Sequence, residues 1–544
     1  MDLTEELLSL AWTEVLIFAN ILPVFWKTKR RLGYFALCAY LDKTAEGIDF
    51  KRTRLFAGAV PIRMQMMMRH GPRVPGTKLH FNFMRVSIDL DDSQRSDLTI
   101  NNPLNFEIIT SDRTWRVPFV YDLLNARHGR YRHGRIAVDH SRGLSLYFRQ
   151  TRQNALVLAQ RKINRTDTLR ERLKLRLAHL MALVAPRPRE VLLYEKELQG
   201  YGESASVLFE RLCSEDNSRA YYLLDPASPQ AGFVSPACRR HVIDAFTLRH
   251  YYHFFACRTF MGTEGLQHAL ESRVASPVAQ RKANSHRNRF VFLQHGVMYM
   301  VSLASPLRQV FREGIRSYHF HRVVVSSQTE AQHFIDAAGY EPDSLYVTGL
   351  PDYDHYQVAP GADHIILMPT WREWEFNQAR VAPEQTGYYR LLCAMYESVA
   401  PELREQVWVL PHPLMLEAFR ASDLADHIPT FERYSDLFRE CKLFITDYSS
   451  ASYAAFYGGS NVLFFWRDLE ECIQQYGAPL MLDESTAFGE VCWDPAALAD
   501  AVSRCYTAAQ DPEFVTRFRQ LVTYHDGCNT ERLIAALAAD HLLY

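Results

Sequence analysis

After Glu190 the chain is built from short apolar runs that each break into a polar cluster. VLLYEKE, RAYYLLD, ACRTFMGTE, RFVFLQHG and RVVVSSQTE read as strands ending in turns, with helical stretches such as SASVLFERLC between them. Beyond Leu345 the theme recurs in LYVTGLP, HIILMPTW, QVWVLPHP, LFITDYSS and NVLFFWRD, around the helical GYYRLLCAMYESVA. Apolar runs without alternation suit parallel strands covered on both faces. Strands that alternate with helices predict doubly wound sheets, so the fold class is α/β. Two Rossmann-like units are expected, over 190–345 and 346–544, with the chain crossing between them near 340–350.

Upstream the pattern is different. Residues 1–65 read as helical, with Pro23 closing a first helix before the basic turn of Lys27, Lys29, Arg30 and Arg31. Residues 7–26 approach the length of a membrane span, but Glu14, Asn20 and Pro23 interrupt them, so an interfacial or packed helix is expected. The acidic start Asp2, Glu5, Glu6 does not resemble a cleavable leader. Over 78–148, LHFNFMRVSIDL, LNFEIIT, WRVPFVYDLL, GRIAVDH and GLSLYF alternate between turn-forming residues, which predicts a small antiparallel β-sandwich-like module at 66–150. The connector 151–189 reads as a basic amphipathic helix. Arg161, Lys162, Arg165, Arg170, Arg172, Lys174 and Arg176 surround Leu169, Leu173, Leu177, Leu180, Met181 and Leu183. Such a helix suits an anionic membrane face; the alternative is a Leu stripe packed on its own domain.

Composition narrows the class. A chain of 544 residues, 48% hydrophobic and 23% charged, has enough apolar material for two or three cores and is not a disordered polyelectrolyte. A net charge of -1 supplies no global field for nucleic acid, and no nucleic-acid partner is expected. The ten cysteines are scattered, with no pair or Cys/His set at zinc-ligand spacing, so a reduced, cytosolic chain is expected.

Four polar clusters at strand ends carry the candidate chemistry. They are Gln294-His295-Gly296, Pro369-Thr370-Trp371-Arg372-Glu373, Pro411-His412-Pro413 and Thr446-Asp447-Tyr448-Ser449-Ser450. Ligands of open α/β sheets gather beyond the carboxyl ends of the strands, where all four clusters can face one crevice. Orphan N-H groups and hydroxyls at the helix start after Thr446 favour an anion, although Asp and Ser are also ordinary caps. Two imidazoles, a guanidinium and a hydroxyl-rich helix mouth together suit a phosphate substrate.

The ordered set LQHG, VTGLP, ILMPTWRE, LPHP, FITDYSSASYAAF and DGCNTER, spread from about Glu190 to the C-terminus, resembles the CDP-glycerol glycerophosphotransferase family, the polymerases and primases of teichoic acids and related capsule polymers. The resemblance implies a GT-B architecture, two Rossmann-like domains facing a cleft. It also implies attack of an acceptor hydroxyl on the β-phosphate of CDP-glycerol with release of CMP. His295 would then be the base and His412 would stabilise charge on the phosphoryl oxygens or departing CMP. Gly296 would let backbone approach the ligand. Thr370, Arg372, Ser449 and Ser450 would bind phosphate, with an ion pair to Glu373 or Glu375 as the alternative for Arg372, while Asp447 orients the turn. No cofactor or tightly bound metal is expected; a loosely held Mg²⁺ on the diphosphate stays open.

The chain also departs from the family pattern. His295-Gly296 continues as Val297-Met298-Tyr299-Met300 rather than TPLK, Asp352-Tyr353-Asp354 follows VTGLP where arginine is common, and Ala454-Ala455 stand where Asp-Phe is frequent. These changes leave CDP-glycerol and CDP-ribitol both open as donors. The resemblance further implies a lipid-linked glycan or polyol-phosphate acceptor and a peripheral location on the cytoplasmic face of the membrane. A GT-B glycosyltransferase using a nucleotide-sugar and a catalytically silent scaffold of a wall-assembly complex are the competing readings.

Overall fold

The computed structural model describes residues 17–27, 31–41, 54–58, 60–66, 72–73, 75–76, 79–89, 101–109, 114–118, 134–139 and 143–150, and from 156 onward every residue except 186–188, 216–217, 272–275, 314–318, 380, 414 and 544. The chain forms two units. The first is Met1–Arg172 with Val274–Gln280, and the second is Leu173–Arg273 with Arg281–Tyr544.

The first unit carries an antiparallel ten-stranded sheet among the described residues. Its strands are β1 (Ile17–Lys27), β2 (Arg31–Leu41), β3 (Arg54–Ala57), β4 (Val60–Met66), β5 (Leu79–Asp89), β6 (Asn101–Ile109), β7 (Thr114–Pro118), β8 (Gly134–Asp139), β9 (Leu144–Gln150) and β10 (Leu156–Lys162). Their order is β1-β2-β5-β4-β3-β6-β10-β9-β8, with β7 on β6. The helix expected over 1–65 is therefore corrected: β1 and β2 pair antiparallel from Ile17 with Tyr40 to Lys27 with Leu32. Runs such as IFANILPVFWK combine β-branched and aromatic residues, and short apolar runs carry no period that separates strand from helix. Pro23 ends no helix. It lies where the β1 register shifts between Ile21 and Phe25, on an edge strand that tolerates a missing N-H. Of the span considered for the membrane, 17–26 is strand and 7–16 lies outside the described residues. The connector is likewise not one helix. Its first part is β10, and Arg161, assigned above to a basic face, forks onto buried Asp167 at 2.5 and 2.9 Å. The helix is confined to α1 (Leu169–Val184).

In the second unit a seven-stranded parallel sheet comes first: β11 (Val191–Tyr194), β12 (Ala220–Leu224), β13 (Val242–Asp244), β14 (Thr259–Gly262), β15 (Arg289–Phe292), β16 (Arg322–Val325) and β17 (Leu345–Val347). Their order, β13-β12-β11-β14-β15-β16-β17, is doubly wound, with its reversal between β11 and β14. A five-stranded parallel sheet follows: β18 (His364–Leu367), β19 (Val407–Val409), β20 (Cys441–Thr446), β21 (Asn461–Phe465) and β22 (Glu490–Cys492), ordered β19-β18-β20-β21-β22. The central strands are buried almost throughout, which is why they read as unbroken apolar runs. Helices used below are α2 (Ser204–Cys213), α3 (Gln328–Ala338), α4 (Gly387–Glu397), α5 (Leu416–Arg420), α6 (Ala451–Gly458) and α7 (Asn529–Ala539).

The last helix returns to the first of these sheets, which the sequence pattern does not reveal. Asp354, just past the crossing, accepts N-H bonds from Asn529 and Thr530 at 2.9 and 2.8 Å and so caps α7. Asp540 at the other end accepts from Arg322 and Tyr346. Gly349 of the VTGLP motif has φ 78°, and a Cβ there would stand 2.2 Å from Asn529 Oδ1. Two motifs of the ordered set, VTGLP and DGCNTER, are thus packed on one another. Cys213 and Cys238 adjoin as a disulfide, Cα–Cα 5.7 Å, a pairing the expectation of an all-reduced chain did not include.

Two buried charge clusters hold the carboxyl ends of the strands. In the first, Arg372, 1% exposed, lies beyond β18 and reaches aspartates beyond β20 and β21. It pairs with Asp447 Oδ2 at 2.8 Å and Asp468 Oδ2 at 2.7 Å, and donates to Thr370 O at 2.7 Å. Asp447 Oδ1 in turn accepts the N-H of Thr370 at 2.7 Å and that of Tyr448.

In the second, Glu195, at the end of β11, accepts N-H bonds from Gly202, Glu203 and Ser206 and caps α2. Ser204 Oγ donates to Asp352 at 2.5 Å. Glu203 is partly exposed as a residue, but its Oε2 is sealed from solvent. Burial pushes Glu195 up, Glu203 to about 8 and Asp352 to about 6.

Two outcomes follow for stability. Arg372→Ala strands two carboxylates and should cost about 3–5 kcal/mol in urea unfolding, far more than loss of a surface pair. Because the folded chain holds the Glu203 proton more tightly than the unfolded one, its contribution is full below about 4.5 and is lost as pH rises through about 8. Glu203→Gln should flatten the fall in melting temperature over that window, as calorimetry at successive pH values would show.

Candidate active site

A hollow of about 420 Å³ opens between the two parallel sheets, within the second unit. It is lined by His295, Gly296, Thr370, His412, Ser449 and Ser450, so six of the seven predicted site residues meet around one space. Each comes from the carboxyl end of a strand, as the doubly wound topology requires.

His295 follows β15 and is exposed toward the hollow. Gln294 before it sits at φ 60°, a left-handed conformation uncommon for a residue with a Cβ, and is held there as its buried side chain donates to Val324 O. The ring's Nδ1 lies 3.4 Å from Thr263 O. A proton on Nδ1 directed at that carbonyl leaves Nε2 with its lone pair available, the arrangement a general base needs. The turn after it is pinned by Glu330 of α3, fully buried, which accepts the N-H of Met298 at 2.7 Å and the N-H and hydroxyl of Ser326 at 2.6 and 2.7 Å. Gly296 has φ 149°, and a Cβ there would stand 3.2 Å from Ser450 Oγ. The glycine therefore brings the His295 turn against the mouth of α6.

His412 is half-buried, with its ring stacked on Trp371 at 4.7 Å between centroids and 16° between planes. Its backbone N-H donates to the hydroxyl of buried Tyr388 on α4 at 2.8 Å. Burial first, and then the charge of Lys196, hold its pKa below the ordinary 6.5, so near neutral pH it is an uncharged ring that donates from one nitrogen. The prolines on either side were visible in the sequence; the Trp371 platform that sets the ring plane was not.

The mouth of α6 is partly capped. Ser449 Oγ accepts the N-H of Ala451 at 3.3 Å, whereas the side chain of Ser450 makes no capping bond. Ser450 Oγ instead faces Gly296. The hydroxyl of Thr370 is sealed from solvent and has no partner among the described residues. The N-H groups of Ser452 and Tyr453 bond Ser449 O and Ser450 O at 3.2 Å, so what this end of α6 offers the hollow is its positive dipole end and the Ser450 hydroxyl, which together suit an anion.

Arg372 is the departure from the expected set. Its guanidinium is spent on Asp447, Asp468 and Thr370 O and it does not line the hollow. Its pairing with Asp447 and Asp468 also differs from the expected alternative of Glu373 or Glu375; Glu375 instead accepts N-H bonds from Gly387 and Tyr388. The cations that do line the hollow are Arg308 and Arg420, and neither was singled out above. Nothing in the local pattern distinguishes Arg420 among 61 basic residues, but Arg308 follows Pro306-Leu307 downstream of the HG pair, a hint that was available. Ile428, Phe431, Tyr434 and Leu410 supply an apolar, partly aromatic wall.

Comparison with known proteins places this geometry. The family model described as CDP-Glycerol:Poly(glycerophosphate) glycerophosphotransferase matches residues 177–539. The minor teichoic acid biosynthesis protein GgaB of Bacillus subtilis (strain 168) is 22% identical over 272 residues, covering 46% of this chain and 29% of that protein, so the chain spans only part of this relative. Among solved structures, the wall teichoic acid polymerase TagF soaked with CDPG superposes with a TM-score of 0.51 at 14% identity, covering 70% of this chain and 99% of that one. Another TagF structure gives 0.50 at 15%, covering 69% and 94%. These likenesses show the fold, a GT-B-like pair of α/β domains. With its two parallel sheets, its histidine-lined hollow and most of its length matched, the chain belongs to the CDP-glycerol:poly(glycerophosphate) glycerophosphotransferase family.

Proposed function

We propose that this protein transfers a polyol phosphate, glycerol phosphate or its ribitol counterpart, from a CDP-activated donor to a hydroxyl of a membrane-linked acceptor in teichoic-acid-type polymer synthesis, releasing CMP. The observation that carries the reading is the convergence of His295, His412, Thr370, Ser449 and Ser450 on one hollow. His295 Nε2 takes the proton of the acceptor hydroxyl, the oxygen bonds to the β-phosphorus, and the bond to the CMP oxygen breaks. His412, neutral and fixed on Trp371, donates to a phosphoryl oxygen as charge moves onto the leaving group. The α6 mouth and the hydroxyls hold the phosphate chain in line, while the Phe431 and Tyr434 wall offers an apolar face to the base.

The membrane part of the reading is supported by α1. Leu173, Leu177, Leu180, Leu183 and Val184 are between 50% and 87% exposed, whereas Leu175 and Ala178 on the opposite side are buried. The Leu stripe thus does not pack on its own domain. Arg170, Arg172 and Arg176 stand beside it and Glu171 is the helix's one acidic residue, a charge balance complementary to anionic headgroups. Lys174, counted with them in the sequence, instead donates to Phe246 O at 2.7 Å. Among the described residues no helix is long and apolar enough to cross a membrane.

Incubated with CDP-glycerol, CDP-ribitol and UDP-sugars, the purified protein should release CMP; UDP release alone contradicts the reading. His295→Ala and His412→Asn should each lower kcat by about 10²-fold or more with little change in donor affinity. On vesicles, binding should require anionic lipid, weaken with salt, and fall sharply for Leu177→Glu with Leu180→Glu; equal binding to neutral vesicles counts against α1 as the contact.

A further inference from the structure

The cation at the wall of the hollow nearest His295 in sequence reaches it by an unusual route. Past Gly296 the chain does not turn into a helix but runs along the second sheet's domain as a strap. Tyr453 donates its hydroxyl to Tyr299 O at 2.6 Å, and the N-H of Met481 donates to Met300 O at 2.9 Å. Val301 bridges antiparallel to Leu480. Ser305, fully buried, donates its hydroxyl to Tyr476 O at 2.6 Å. Pro306 packs against Gly477, where a Cβ would stand 3.2 Å from its ring. The strap ends in a 3-10 turn, Pro306–Phe311, whose start is fixed by the N-H of Leu307 on Ser305 Oγ and that of Arg308 on Ser305 O at 2.9 Å. Arg308 is thereby set, half-buried, in the wall of the hollow.

Its surroundings differ from those of the other arginines nearby. Arg372 is consumed by two aspartates, and Arg420 is 58% exposed and shares Glu417 at 3.3 Å. Among the described residues no carboxylate forms an ion pair with Arg308. A half-buried guanidinium without an ion-pair partner, lining the same hollow as the start of α6, suits an anion bound there. The sequence departure noted above acquires a counterpart: the HG pair lacks the Pro-Leu-cation continuation at once, but Pro306-Leu307-Arg308 supplies that order at the far end of the strap.

We propose that Arg308 is the principal cation for the donor's diphosphate, a binding and specificity residue delivered across the cleft by the 297–308 strap. The substrate class is a nucleoside diphosphate ester, held by a guanidinium from the first domain and the α6 mouth of the second. The inference rests on the transferase reading only for the identity of the nucleoside.

Titration calorimetry of the full chain with CDP, CMP, cytidine, UDP and inorganic pyrophosphate tests it. Arg308→Gln should weaken CDP by about tenfold or more, CMP less and cytidine not at all, and should make the salt dependence of CDP binding shallower, with the melting temperature unchanged. Arg308→Lys should fall between, because a point charge replaces the planar fork. Wild-type affinity of Arg308→Gln for CDP overturns the inference, as does a wild-type protein that binds neither a nucleoside diphosphate nor pyrophosphate. If the protein binds UDP in place of CDP and Arg308→Gln weakens it, Arg308 stands and the CDP donor falls. Should Arg308→Gln fail to fold, a folded Arg308→Lys decides: reduced CDP affinity supports the assignment and undiminished affinity overturns it.

Discussion

The buried pairing of Arg372 with Asp447 and Asp468 is the constraint on which the rest of the site depends. A guanidinium almost fully removed from water is tolerable only with its donors matched, and here the partners come from the ends of neighbouring strands. Through Thr370 O and the two N-H groups held by Asp447, the same cluster fixes the turns that carry Thr370 and the start of the Ser449-Ser450 segment. Electrostatics inside the second domain therefore set the shape of a surface that itself carries hydroxyls and N-H groups rather than buried charge. That division suits phosphate binding, since a carboxylate-neutralised arginine has little left to offer an anion while the positive end of α6 and the Ser450 hydroxyl have more.

The opposite wall is built by backbone conformation rather than charge. A left-handed Gln294 and a glycine with positive φ turn the end of β15 sharply, and the missing Cβ of Gly296 lets that turn touch Ser450. His295 is thus positioned by the contact between domains, and His412 by an aromatic platform within one of them. The two imidazoles differ accordingly: one stands open with its Nδ1 toward a carbonyl, the other is half-buried and held neutral. That asymmetry matches a base and a hydrogen-bond donor better than two equivalent groups.

The parallel sheets were legible because strands buried on both faces can be little else than short apolar runs, and each ended in the polar residues that topology then gathered. Positions of His295, His412, Thr370, Ser449 and Ser450 followed from that rule. What local pattern does not encode is partnership. Arg372 looked like a phosphate ligand because nothing in PTWRE announces aspartates at 447 and 468. The place of Arg308 at the hollow depends on a strap fixed by residues far downstream, which the local Pro306-Leu307-Arg308 pattern does not encode. The N-terminal strands resemble helix in sequence for a different reason: in IFANILPVFWK and RLGYFALCAYL, near-continuous apolarity hides the period, and Pro23 marks a register shift instead of a helix end.

The central claim, that one hollow holds an activated diphosphate between two histidines, is tested most directly by a crystal structure with CDP bound. The account predicts the diphosphate at the α6 mouth within hydrogen-bond reach of Ser450, with His295 Nε2 facing the β-phosphorus from the side away from the nucleoside. Density for the diphosphate on any other surface, with the hollow left to solvent, would contradict it.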